Sequence, residues 1–117
     1  MLNRTVLEQA GIDMDEALQR VMGNEALFDR LLGMFSNDQQ HANLHAAIDT
    51  HDADAAIAAA HSLKGTCGNL SMKPLYELAS KQLELLRTGK WDEAAALMPA
   101  IDSAYAATQE AITARNS

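Results

Sequence analysis

The chain has 117 residues and a formal net charge of -7, which leaves room for one domain with a single modest core and none for an added nucleotide-binding or catalytic domain. Hydrophobic residues make up 48% of the sequence but aromatics only 4%, a balance rich in alanine, leucine and methionine that disfavours a β-rich fold and favours helices. The acidic balance argues against a nucleic-acid partner, which needs clustered Lys and Arg, and a lone cysteine, Cys67, excludes an internal disulfide or a cysteine-based zinc cluster.

Residues 1–117 therefore read as one domain. Cys67 reads as a small buried hydrophobe. No run approaches the roughly 18 apolar residues of a membrane span, and the N-terminus lacks a basic region followed by an apolar stretch, so a soluble, cytoplasmic module is expected.

In chain order, Gly11-Ile12-Asp13 forms a lead-in, after which Met14, Leu18 and Val21 recur at helical spacing until Gly23 ends a short first helix. Asn24 is a favourable N-cap for a second, whose Phe28, Leu31, Leu32 and Phe35 make one apolar stripe. The spacing allows that helix to continue past Ser36-Asn37, and helical periodicity persists through Leu44 and Ile48. Asp52 is placed to cap the next helix, with Asp54 favourable against its N-terminal dipole. Pro74 suits a first helical turn, Leu75, Leu78, Leu83 and Leu86 give that helix an inward face, and Gly89 closes it. A final run starts near Trp91-Asp92 and meets Pro99, which either kinks it or opens a separate helix. Short links between helices favour antiparallel neighbours, so the expected fold is all-α: an up-and-down antiparallel four-helix bundle with a short additional N-terminal helix.

The informative stretch runs from Ala60 to Leu70. At about 100° per residue, Gly65 sits roughly 40° from His61, Gly68 about 20° to the other side and Lys64 about 60° away. These four share a face, whereas Ala56, Ala59, Leu63, Thr66, Cys67 and Leu70 gather on the opposite, core-facing side. His61 is therefore expected to point to solvent. Two glycines inside a helix give up on the order of 2 kcal/mol against alanine. That cost suggests a need for bare backbone, a flat docking patch that Ile57 and Ala58 would extend one turn earlier.

A neutral imidazole offers a ring nitrogen lone pair that can attack phosphorus, and Lys64 at i+3 can reach the phosphoryl oxygens and offset their charge. No glycine-rich nucleotide loop and no carboxylate cluster able to hold magnesium accompanies them. The expected role is to receive and pass on phosphate rather than to make it from ATP, so the chain is not expected to be a kinase.

His61-Ser62-Leu63-Lys64-Gly65 followed by Gly68-Asn69-Leu70 resembles the H-x-L-K-G signature of the histidine-containing phosphotransfer (HPt) domains of multistep two-component signalling. Leu78-Ala79-Ser80-Lys81-Gln82-Leu83-Glu84 is similar to the family's following helix. Gly11-Ile12-Asp13, then Gly23-Asn24-Glu25-Ala26-Leu27-Phe28 with Leu31, Leu32 and Phe35, is similar to the lead-in of such domains at the end of hybrid sensor kinases. The likeness spans residues 11 to 112. It implies that His61 is the phosphoacceptor, Lys64 the phosphate-side cation, and Gly65 and Gly68 close-approach positions. It also implies a phosphorelay between His61 and the aspartate of a receiver domain, in a response regulator or hybrid sensor kinase, with magnesium in that partner and no cofactor bound by this chain, which would act as a monomer. Ser71-Met72 departs from the Gly-Ala common at that point, which bears on how the His61 helix ends.

Two rival readings stand beside this one. The methionines and leucine stripes could line a groove in a non-catalytic adaptor or scaffold bundle. His41 and His45, at i and i+4, could chelate a metal from one helical face, but no further ligand spacing accompanies them. They are expected to be solvated polar histidines, with no metal site, and His51 a loop residue. Asp15, Glu16, Glu25 and Asp29 read as solvated helix faces without a site role.

Overall fold

Side-chain caps set half of the helix starts. Asn3, Asp13, Asn24 and Asp52 each accept a hydrogen bond from a backbone N–H three residues on, the orphan donor that a helix N-terminus must satisfy. In the computed structural model, which describes residues 2–116, the helices are α1 (Arg4–Gln9), α2 (Met14–Arg20), α3 (Glu25–Ser36), α4 (Gln40–Asp49), α5 (Ala53–Asn69), α6 (Lys73–Arg87), α7 (Trp91–Ala95) and α8 (Met98–Thr113). The described residues form an all-helical bundle with no strand, and none of these helices is long and apolar enough to cross a membrane.

The inventory is larger than four main helices and one short one. The additional helix α1 follows a cap at Asn3 and is too short to show periodicity in the sequence. The stripe beginning at Phe28 does not continue past Ser36-Asn37. Asp38 Oδ1 accepts from the Gln40 N–H at 2.7 Å and Asn37 Nδ2 donates back to the Gly33 carbonyl at 3.2 Å, so the chain closes α3 and opens α4. At Pro99 the chain starts a separate helix. Pro99 lies in the first turn of α8, where its missing N–H is not needed, while Ala96 and Leu97 stay in right-handed helical geometry across the junction.

The core follows the expected stripes. Phe28, Leu32 and Phe35 of α3, Leu44 of α4, Leu75 and Leu83 of α6 and Ile101 of α8 are all buried. α5 contributes Ala56, Ala59, Ala60, Leu63 and Cys67, its small side chains giving a narrow face on which α4 and α6 pack from either side. α8 packs in turn against α6, α3 and α1.

The lead-in does more than precede α2. Ile12 pairs with Met72 in an isolated antiparallel bridge, Asp13 N–H donates to the Ser71 carbonyl at 2.9 Å, and Lys73 N–H donates to the Gly11 carbonyl at 3.2 Å. This strap ties the N-terminal segment to the junction between α5 and α6. It requires glycine at position 11, where φ is +91° and a Cβ would lie 2.4 Å from Pro74 Cγ.

Candidate functional site

α5 is the longest helix at 17 residues, and its exposed side carries residues singled out in the sequence. His61 and Gly65 are exposed, Lys64 and Gly68 are half-buried, and the predicted inner face is buried apart from half-buried Thr66. No hydrogen bond to the His61 ring and no ion pair to Lys64 occurs among the described residues, so the imidazole lone pair and the ammonium are both uncommitted. His61, Lys64, Gly65 and Gly68 line one open cleft of about 450 Å³, together with Glu16 and Arg20 of α2 and Lys73 and Tyr76 of α6.

The two glycines differ. A Cβ at position 65 would meet nothing within 4 Å, leaving bare backbone open to solvent beside His61. A Cβ at position 68 would lie 3.0 Å from Cε1 and 3.2 Å from Cδ1 of Tyr76. The two positions are therefore not equally bare. Gly65 is open, but Gly68 is the seat of the Tyr76 ring, which α6 brings across the helix at the point where α5 has no side chain. Ile57 is half-buried and packed against the core. Ala58 is exposed and lines the groove between α4 and α5 with Asn43, Thr50 and Ser62.

The end of α5 explains the departure at Ser71-Met72. Ser71 takes φ +56°, the left-handed conformation usually given to glycine, while Met72 N–H donates to the Cys67 carbonyl (2.9 Å) and Ser71 N–H to that of Gly68 (3.2 Å). The buried Ser71 hydroxyl donates to Glu16 Oε1 at 2.9 Å, so α2 supplies the partner that fixes this turn. Glu16 Oε2 accepts from Lys73 Nζ at 2.7 Å, and Oε1 lies 3.4 Å from Arg20 Nη2. Hydrogen bonds from Lys73 and Ser71 outweigh desolvation and hold the Glu16 carboxyl below its ordinary range.

Glu16 is thus no idle solvated residue, and the other three acidic residues read that way also have partners. Asp15 pairs with Arg4 at 2.6 Å, Glu25 accepts the Leu2 N–H at 2.8 Å, and Asp29 accepts from Arg115 Nε at 2.7 Å. Sequence spacing could not find Glu16, Arg20, Lys73 or Tyr76 as neighbours of His61, because α2 and α6 bring them there from outside its helix. In a chain of net charge -7, this cleft gathers Lys64, Arg20 and Lys73 around a single carboxylate.

The remaining candidates lie elsewhere. Cys67 is fully buried behind the His61 face, and burial pushes its thiol up to about 12, leaving it an inert core group. His51 is a loop residue at φ +54° whose ring stacks on Trp91 at 4.0 Å. His41 and His45 are not merely solvated: both ring Nε2 atoms meet Asp102 of α8, a partner 57 residues beyond His45 and invisible to local spacing.

Among known families, the model of the Hpt domain matches residues 30–111. The match begins inside α3, so the lead-in and α2 lie outside it. No curated protein and no solved structure matches the chain.

Proposed function

The chain belongs to the Hpt domain family, and from that premise we propose that it relays a phosphoryl group between His61 and the aspartate of a receiver domain. An Hpt domain takes part in phosphotransfer in two-component signalling as a phosphocarrier, not a kinase. The observation that carries the finer reading is the exposed His61 ring, without a hydrogen bond among the described residues, in a cleft that brings Lys64, Arg20 and Lys73 together.

In the proposed reaction a ring nitrogen of His61 attacks the phosphorus of a receiver aspartyl phosphate. The P–N bond forms as the P–O bond to the aspartate breaks, and the aspartate leaves as a carboxylate. Onward transfer is the reverse, with a second receiver's carboxylate oxygen attacking phosphorus and the imidazole leaving. Lys64, which makes no ion pair among the described residues, can reach the phosphoryl oxygens. Arg20 and Lys73 add positive potential around the cleft, though Glu16 already engages both. Gly65 lets the partner's active-site rim approach the backbone. Magnesium, which helps neutralise charge in such transfers, would be held by the receiver.

The rigid helix fixes the nucleophile, so docking sets the reaction geometry. The partners would be receiver domains of response regulators or hybrid sensor kinases, met by a monomer in the cytoplasm. The test is transfer of label from a phosphorylated receiver. The wild type should acquire an acid-labile, alkali-stable phosphate, and a folded His61→Gln variant that still takes up label would refute the assignment. An adaptor without chemistry would instead bind its partner indifferently to the residue at position 61.

A further inference from the structure

α4 and α8 meet through three side chains that the phosphotransfer reading does not use. His41 and His45 stand one turn apart on α4, and their Nε2 atoms lie 2.8 Å and 2.5 Å from the same oxygen, Oδ1 of Asp102. The candidate ligand atoms all fall within 4.8 Å of one another. The rings are held in place: His41 stacks on Tyr105 with centroids 3.9 Å apart and meets the His45 ring edge-on at 5.0 Å. The side chain of His41 is 18% exposed, while those of His45 and Asp102 are 39% and 41% exposed, so an ion can enter from solvent without the bundle opening.

We propose that His41, His45 and Asp102 form a binding site for a divalent transition-metal ion of the Zn²⁺ type, which fastens α4 to α8. Two imidazole nitrogens and one carboxylate oxygen suit a borderline ion, whereas Mg²⁺ and Ca²⁺ prefer all-oxygen sites. The i, i+4 spacing presents both rings from one face, and the carboxylate from a second helix completes a three-ligand set. Zinc–ligand bonds of about 2.0–2.2 Å put neighbouring donors of a tetrahedral site roughly 3.3 Å apart. The two nitrogen–oxygen separations, 2.8 Å and 2.5 Å, need widen by roughly 0.5 and 0.8 Å, within reach of small side-chain rotations. Each ring binds as the neutral tautomer with its hydrogen on Nδ1 and its lone pair on Nε2, so the two ring–carboxylate contacts give way to one cation shared by all three donors. The fourth position remains for water or a small anion. α4 gains most, since its N-cap residue Gln39 makes no side-chain capping bond and its connection to α3 is short.

The test is titration of metal-stripped full-length protein with Zn²⁺, followed by calorimetry and thermal unfolding, and with Co²⁺, followed by its visible d–d absorption. The wild type should take up one equivalent, show bands of tetrahedral intensity and unfold at a higher temperature when loaded. His45→Ala and Asp102→Asn should each weaken binding by at least about tenfold and lose the thermal shift, while His61→Gln should leave both unchanged. Asp102→Asn keeps the side chain's shape and a polar contact to the rings, so it tests the site even if His45→Ala does not fold. Equal affinity in wild type and Asp102→Asn, binding that disappears with His61→Gln, or no uptake by the folded wild type would each overturn the proposal.

Discussion

The ring of Tyr76 occupies the space where Gly68 has no side chain, so that a Cβ at position 68 would lie 3.0 Å from Cε1. Two opposing effects meet at that position. Alanine there gains about 1 kcal/mol of helix propensity and loses a similar amount by crowding a ring that must tilt away. Gly68→Ala should therefore be close to neutral in urea unfolding, whereas adding Gly68→Ala to a Tyr76→Ala background should stabilise by about 1 kcal/mol. Gly68→Arg should expel the Tyr76 ring over the cleft and block transfer while leaving helical circular dichroism intact; undiminished transfer would place the docking surface elsewhere.

Lys64 should matter for transfer and little for stability. A charge-assisted hydrogen bond to a phosphoryl oxygen is worth about 1.5–3 kcal/mol, so Lys64→Ala should slow transfer from a receiver by about tenfold to a hundredfold. Since Lys64 makes no ion pair among the described residues, its loss should shift the unfolding free energy by no more than about 0.5 kcal/mol. Single-turnover transfer rates and urea midpoints measured on the same variant separate the two effects.

Glu16 gives the fold a dependence on acid. Its carboxyl is held below the ordinary value of 4.5 by Lys73 and Ser71, so the unfolded chain binds the proton more tightly than the folded one. The stabilisation is fully present above the ordinary value and is lost as pH falls through the lowered one. The wild type should melt above Glu16→Gln at neutral pH, and the two melting curves should converge in acid below 4.5. A gap that persists unchanged into that range would show that the charge on Glu16 contributes nothing.

Gly11→Ala should be among the most damaging substitutions outside the core. It combines a positive φ of +91° with a Cβ placed 2.4 Å from Pro74 Cγ, costs that together come to about 2 kcal/mol or more. Chemical denaturation should show the loss, and amide exchange at Asp13 and Lys73, whose N–H groups hold the strap, should quicken.

How much of this was legible beforehand depended on whether the information was local. The helical class, the stripe through Phe28, Leu32 and Phe35, the cap at Asp52 and the outward turn of His61 all follow from periodicities of three and four residues or from one residue's preference for a helix end. The neighbours of His61 from other helices were not legible: Arg20, Lys73 and Tyr76 arrive through packing. Gly68 shows the same limit from the other side. The pattern indicated that a side chain had to be missing, but not that the vacated space is filled from α6. Ser71 departs from glycine at a left-handed position because Glu16, 55 residues away, accepts a hydrogen bond from its hydroxyl that glycine could not donate.

The sealed position of Cys67 makes the bundle its own gauge of opening. A thiol with no exposed surface and a protonation equilibrium pushed to about 12 is closed to alkylating reagents while the helices stay together. Its labelling rate then counts the moments when α5 parts from its neighbours, and variants at Gly11, Glu16 or Gly68 can be ranked by that one number in native buffer, without denaturant.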